Sequence, residues 1–370
     1  MNRSIVPEAV SRQPWSMLIP LFALVGLGAA VLYSAAGGKL QPYALSHVVR
    51  FCVFMVMAIV ISRMSRNLFR LAAYPVYALI LVLLVLVELI GAVGGGSQRW
   101  LNLGFMTLQP SELMKPAIVL VLARFYETLP HSMTASWRGL VPAAVLIGLP
   151  ALFVLIQPDL GTATAVCFGG VVTMFLAGLP LWWFLSAGGA LVIIAPIAFF
   201  TLLHEYQRNR VLTFLDPEAD PLGTGYHITQ SKIAIGSGGI FGKGFGNGTQ
   251  SHLQYLPEPH TDFVFATMSE EWGLAGGLFV LFVFAMVLGW GMRVARQAPD
   301  RFSSLLAAGM TATMFFYVMI NLMMVMGLAP VVGIPLPFMS HGGTSMLTNM
   351  ICLGTIMAVH RWNRDRGSFR

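Results

Sequence analysis

Runs of about 20 apolar residues recur along this chain, and no other feature narrows its fold as sharply. The first, SMLIPLFALVGLGAAVLYSAA, is followed by nine more. A hydrocarbon core of about 30 Å takes roughly 20 helical residues to cross. In lipid every backbone N–H and C=O must be satisfied within the protein, so a lone spanning segment is a helix. The composition agrees: of 370 residues, 56% are hydrophobic and 10% are charged, against about 25% charged in a soluble domain. The pattern predicts an all-α integral membrane protein. Its spans fall at 16–36, 46–62, 72–94, 108–123, 139–157, 160–178, 180–203, 263–292, 303–327 and 340–360. The first run lacks a short apolar core closed by small residues, so it reads as a retained span rather than a cleaved signal. Residues 1–370 read as a single polytopic membrane domain.

The fourth span, which is short and holds Glu112 and Lys115, sets the orientation of everything after it. Positive charge supplies the check, because short cytoplasmic loops are rich in Lys and Arg. With ten spans and both termini cytoplasmic, Arg3, Arg12, Arg63, Arg66, Arg70, Arg124, Arg138, Arg293, Arg296, Arg301, Arg361, Arg364, Arg366 and Arg370 all fall inside, 14 of the 22 basic residues. Ten of the 15 acids then lie on the outer side or toward an outer helix end: Glu112, Asp159, Glu205, Asp216, Glu218, Asp220, Glu258, Asp262, Glu270 and Glu271. Carboxylate chemistry is therefore expected on the outer face. The net charge of +7 reports this topology and implies no nucleic-acid partner. Three cysteines inside apolar runs and eight histidines without ligand spacing indicate neither a disulfide framework nor a recognisable metal motif.

One long extracytoplasmic loop, 204–262, joins spans seven and eight. Loops of this length are functional or disordered. YHITQSKIAIGSGG is expected to form an amphipathic helix on the membrane surface, and GSGGIFGKGFGNGT carries seven glycines. Consecutive glycines suit either a flexible tip or an anion-binding nest of N–H groups. Lys243, with Arg208, Arg210 and Lys232 upstream, favours the anion.

Charges at membrane depth are costly and so tend to be paired or functional. Glu112 and Lys115, three residues apart, can form an internal ion pair. Asp159 after Pro158 suits a helix N-cap. GIPLPFMSHGGTS, 333–345, is a broken approach to span ten, a feature tolerated where it is buried or lines a wet cavity. In PEPHTDFVFATMSEEWG, Asp262 and Glu270 are eight residues apart, about 12 Å along a helix, and cannot form a carboxylate dyad. Asp262 falls at the water interface, either as an N-cap or as a carboxylate that meets both solvent and a lipid-borne substrate.

The blocks QPSELMK, QPDLGTA, DPLGTGYHITQSKIAIGSGGIFGKG, LPEPHTDFVFATMSEEWG and PVVGIPLPFMSHGGTS resemble the signatures of the SEDS family (shape, elongation, division and sporulation), in order and over essentially the whole chain. Two positions depart from the usual pattern: His341 stands where the family commonly has Tyr, and Pro259 where a basic residue is common. The resemblance implies an elongation-type peptidoglycan glycosyltransferase of the bacterial inner membrane. Such an enzyme polymerises lipid II on the outer face, with a class B penicillin-binding protein and other elongation-complex membrane proteins as partners. It implies Asp262 as the catalytic base of an inverting transfer. The diphosphate leaving group would meet Lys115, Arg208, Lys243 or the glycine nest, or a divalent cation such as Mg or Mn. Glu112 would hold Lys115, and Asp159, His260 and Ser340 complete the expected substrate-binding set. A lipid II flippase, a non-catalytic scaffold and a division-type polymerase are the competing readings.

Overall fold

The computed structural model describes residues 13–94, 97–102, 107–201, 208–209, 212–214, 216, 224–253, 255–256 and 258–367. In chain order the elements are α1 (Trp15–Ala35), α2 (Ala44–Arg63), α3 (Arg66–Ile90), β1 (Ala92–Gly94), β2 (Ser97–Asn102), β3 (Thr107–Leu108), α4 (Pro110–Thr128), α5 (His131–Thr134), α6 (Trp137–Ile156), α7 (Leu160–Leu176), α8 (Leu181–Thr201), α9 (Thr224–Ser237), α10 (Thr249–His252), α11 (Val264–Arg296), α12 (Arg301–Val325) and α13 (Gly343–Gly367). Each of the ten predicted spans is occupied by a helix. Among the described residues, seven of these helices (α1, α2, α3, α6, α8, α11 and α12) are long and apolar enough to cross a membrane by length and composition.

α4 explains why its sequence looked weak. Every residue from Met114 to Ala123 is buried, enclosed by α3, α6, α7, α12 and α13. A helix that meets protein on all sides need not be uniformly apolar, and it can hold paired charge. α8 is the opposite case, apolar and exposed along most of its length, as a lipid-facing helix is.

The sequence ran span three to residue 94 and began span four at 108. The structure stops α3 at Ile90 and inserts a small antiparallel sheet, order β1-β2-β3, with Ala92 opposite Trp100 and Leu101 opposite Leu108. Arg99 of β2 donates through Nε to Gln157 O at 3.0 Å, which places its side chain at the start of α7.

The Arg-rich helix ends gather into one network. Asp300 caps α12 by accepting from Ser303 N at 3.0 Å and pairs with Arg66 at 2.8 Å. Arg70 and Arg124 both pair with Glu127. Arg301 donates to the terminal carbonyls Leu129 O (3.1 Å) and Ala177 O (2.7 Å) and to Thr134 Oγ1 (2.9 Å). Arg361 and Trp362 both donate to Met64 O. Helix C-termini leave carbonyls without intrahelical partners, and the guanidinium fork supplies them.

At the other end the helices are interrupted. α11 breaks at Gly273, with φ 64° and ψ −161°. The glycine-rich loop closes the break: Lys243 N and Gly244 N donate to Glu270 O and Glu271 O, while Leu274 N and Ala275 N donate to Gly239 O and Ile240 O. A Cβ on Gly242 would overlap Glu271 O, and Gly242 sits at φ 80°. These amides therefore serve the helix break rather than a free anion nest, because an orphaned N–H or C=O at membrane depth is too costly to leave open. The predicted amphipathic helix is α9. Its buried positions Ile228, Ser231 and Ala234 pack against α11 and α12, with Ser231 Oγ donating to Val325 O at 2.7 Å.

Candidate functional site

The stretch between α12 and α13 is the hub of the interrupted end. Gly327, Gly333 and the buried Phe338 all have positive φ (72°, 70° and 62°). A non-glycine residue there is strained by about 1–3 kcal/mol and needs outside support. The His47 ring of α2 gives it, bonding Phe338 O through Nε2 at 3.1 Å. α1 lies against the same turn. A Cβ on Gly28 would stand 2.6 Å from Met339 Cα and 2.9 Å from Met339 O, so only glycine lets the two backbones meet. Ser340, 3% exposed, closes the turn by accepting from Leu336 N at 2.9 Å.

Asp262 faces this hub. It lies in the turn before α11, whose N-cap position is Phe263 and bears no side-chain cap bond; the N-cap alternative for Asp262 is not the arrangement found. A Cβ on Gly333 would lie 3.5 Å from Asp262 Oδ2, so the carboxylate abuts residue 333. Its backbone is fixed by Asn321, a fully buried residue of α12 whose Nδ2 donates to Asp262 O at 2.9 Å and to Ile334 O at 2.8 Å. His341 N donates to His260 O at 2.8 Å, tying the two segments again. The His260 ring stacks on Tyr43, centroids 4.0 Å apart. Burial lowers the His260 pKa, with the Glu258 carboxylate opposing it.

One turn along α12 from Asn321, about 6 Å by helical rise, Tyr317 reaches the predicted ion pair. Lys115 Nζ is 2.6 Å from Glu112 Oε1 and 2.8 Å from Tyr317 Oη, and Tyr317 donates to the other Glu112 oxygen. Lys115 is wholly buried. The pair closes on itself beneath the Asp262 turn.

Asp159 caps α7, accepting from Thr162 N at 3.0 Å, and also accepts from Gln109 at 3.1 Å. Arg99 approaches it at 3.6 Å and donates to Gln157 O and Pro158 O. The start of α7 adjoins the hub, since a Cβ on Gly161 would stand 3.0 Å from Val332 O. Lys243 lies elsewhere: its Nζ pairs with Glu270 at 2.6 Å, and Glu270 also accepts from Thr249 N and Gln250 N, capping α10. Arg208 is half-buried in a short helical piece of the long loop; Arg210 lies outside the described residues.

The structure thus brings Asp262, His260 and Ser340 together at the hub, sets Asp159 and the Glu112–Lys115 pair beside it, and joins Lys243 to Glu270. Sequence reasoning passed over Asn321, Tyr317, Arg99 and Arg50. Asn321, in the apolar run VMINLMMV, was the legible one, since an amide at membrane depth needs a reason. Among the described residues no three His, Cys, Asp or Glu side chains converge to hold a metal ion.

The chain matches the cell cycle protein family of FtsW, RodA and SpoVE over residues 15–365. It is 42% identical to the peptidoglycan glycosyltransferase MrdB of Escherichia coli K12, across 97% of this chain and 96% of that one. It is similar to a chain solved in a peptidoglycan synthase complex that coordinates polymerization and crosslinking, with a TM-score of 0.83, 32% identity, and 95% and 98% of the two chains covered. It is also similar to the rod shape determining protein RodA of Thermus thermophilus, with a TM-score of 0.72, 29% identity, and 95% and 97% covered.

Proposed function

Because this chain belongs to the FtsW, RodA and SpoVE family, we propose that it polymerises lipid II at the Asp262 end of its bundle, with Asp262 as the general base. It is a peptidoglycan glycosyltransferase and a multi-pass protein of the bacterial inner membrane. The observation that carries the assignment of Asp262 is its placement. The carboxylate abuts Gly333 in a non-helical hub, while Asn321 holds its backbone from within the membrane bundle.

The chemistry asks for that arrangement. The 4-hydroxyl of GlcNAc on one lipid II attacks C1 of MurNAc on a polyprenyl-diphosphate-linked donor. An α-linked donor gives a β-linked product, so one inverting displacement suffices. The hydroxyl proton must leave as the new C–O bond forms, and a carboxylate within about 2.6–3.2 Å of that hydroxyl takes it. The sugars stay in water and the prenyl chains in lipid, which requires a base at the interface on a rigid mount. Positioning of this kind contributes as much to rate as the base itself. In this proposal the crosslinking partner is a class B penicillin-binding protein, a reading supported by the likeness to a chain of a synthase complex.

The test supplies purified protein, its penicillin-binding partner and labelled lipid II confined to one leaflet of a liposome. Glycan polymer is expected from the leaflet facing the long loop, and none from Asp262→Asn. Protein-dependent crossing of lipid II that survives Asp262→Asn, with no polymer from the wild type, would make the protein a flippase instead.

A further inference from the structure

Three cations of the Asp262 end hold carboxylates: Arg99 with Asp159, Lys115 with Glu112, and Lys243 with Glu270. Arg50 does not. It lies six residues into α2, about 9 Å from the helix start, and is half-buried. Its polar contact among the described residues is with an imidazole: Nη1 is 3.1 Å from His341 Nε2. A ring nitrogen facing a guanidinium can only accept, so His341 meets Arg50 as the neutral ring.

The surroundings make an uncompensated cation still less favourable. A Cβ on Gly343, the first residue of α13, would stand 3.6 Å from Arg50 Nη1. The guanidinium therefore lies against the positive end of a 25-residue helix. His341 Nδ1 is also buried with no hydrogen-bond partner among the described residues. A charged fork and a helix start meet here, and no described carboxylate answers them. A charge kept at membrane depth under such conditions is retained for a ligand.

We propose that Arg50, oriented by His341, binds the diphosphate of the polyprenyl-diphosphate-linked donor and of the polyprenyl diphosphate product. This rests on the glycosyl-transfer reading above. His341 occupies one of the five N–H donors of the guanidinium, and the others are free to bond phosphate oxygens in the charge-assisted manner arginine favours. The location fits the reaction. His341 N donates to His260 O, two residues before Asp262, and Tyr43 stacks on His260 while meeting His341 edge-on at 5.3 Å. Arg50 and Asp262 thus flank the same turn. In an inverting displacement the base and the leaving group lie on opposite faces of C1. The acceptor proton passes to Asp262, the C1–O bond to the diphosphate breaks, and its electron pair stays on the diphosphate, where Arg50 and the start of α13 neutralise it.

The test measures binding to purified wild type, Arg50→Gln, Arg50→Lys, His341→Phe and Asp262→Asn. The probes are undecaprenyl diphosphate, undecaprenyl monophosphate and inorganic pyrophosphate, read by displacement and by ligand-induced thermal stabilisation. Arg50→Gln is expected to melt no lower than wild type without ligand, since it removes an unpaired charge. It should lose at least about tenfold in affinity for the diphosphate lipid. Arg50→Lys should recover part of that loss, His341→Phe should lose less than Arg50→Gln, and Asp262→Asn should bind as wild type while failing to polymerise. Wild-type affinity in Arg50→Gln overturns the assignment, and so does an equal loss in Arg50→Gln for the monophosphate and the diphosphate. Pyrophosphate binding as tight as the lipid form overturns the lipid-borne source. Polymer from Asp262→Asn would remove the base but leave the diphosphate result to stand or fall alone.

Discussion

The two ends of the bundle spend their polar groups differently. At the Arg-rich end several guanidiniums hold carboxylates or helix-terminal carbonyls: Arg66 on Asp300, Arg124 on Glu127, Arg301 on Leu129 O and Ala177 O. The helices there end cleanly and are tied together. At the Asp262 end, α11 is broken at Gly273, Phe338 is held in the left-handed region, and the chain between α12 and α13 has no helix at all. Buried polar side chains there bond backbone carbonyls of distant segments, as Asn321 and His47 do. One end is built to stay closed. The other accepts strain and irregular backbone at membrane depth, which is tolerated where backbone is buried in protein or lines a cavity that a ligand enters.

The comparison breaks most visibly at Asp262. Asp262→Asn should cut polymerisation by about 10²–10⁴-fold, the usual worth of a general base, with the fold retained because the amide keeps the shape of the carboxylate and can still accept hydrogen bonds. Loss of folding in that variant would make Asp262 a structural residue like those of the other end.

Next comes the buried pair. Lys115→Met leaves Glu112 and Tyr317 around an unmatched charge and should cost about 3–5 kcal/mol, read as a lower melting temperature. Glu112→Gln with Lys115→Met should recover most of it. Single variants as stable as wild type would show that the pair is not what holds α4 to α12.

Gly242→Ala tests the clip on α11. The added methyl meets Glu271 O from a left-handed backbone, and the expected cost is about 1–3 kcal/mol. Faster amide exchange at Leu274 and Ala275 is its signature. At the Arg-rich end, Asp300→Ala removes a cap and a partly exposed ion pair. About 1 kcal/mol of stability should go, with activity per folded molecule intact. A loss of activity there would erase the distinction between the ends.

The smallest effect is a pH dependence at His260. Burial depresses its pKa below the usual 6.5, so the unfolded chain binds this proton more readily than the folded one. Stability is fully present above about pH 6.5 and declines as pH falls through that value toward the lower folded pKa. His260→Gln should flatten the melting temperature across that acid range. A profile as steep as wild type would assign the dependence to another group.

Much of this was legible in one dimension. Twenty-residue apolar runs announce helices because lipid offers the backbone no partner, and the Arg bias along the chain sorted the helix ends into the two groups found in space. Glu112 and Lys115 were readable as a pair because three residues of helix place them on one face. Asp159 was readable as a cap from its position after Pro158. Asp262 was expected at the interface, and the family blocks singled it out among the ten acids assigned to the outer side.

What the sequence alone determined about this protein is therefore local or additive: which segments are helical, where charge accumulates, and which neighbours three or four residues apart can meet. What only the tertiary structure decided is long-range. Tyr317 joins Glu112 across 205 residues, Asn321 holds Asp262 across 59, and Arg50 meets His341 across 291. The glycines of the long loop showed the same limit. Composition allowed an anion nest, and the fold used the Lys243 and Gly244 amides and the Gly239 and Ile240 carbonyls to close a broken helix. Hydropathy and periodicity record the environment of a residue and of its near neighbours on the chain. They carry no record of which distant backbone will arrive with an unsatisfied carbonyl, and at the Asp262 end those arrivals make the site.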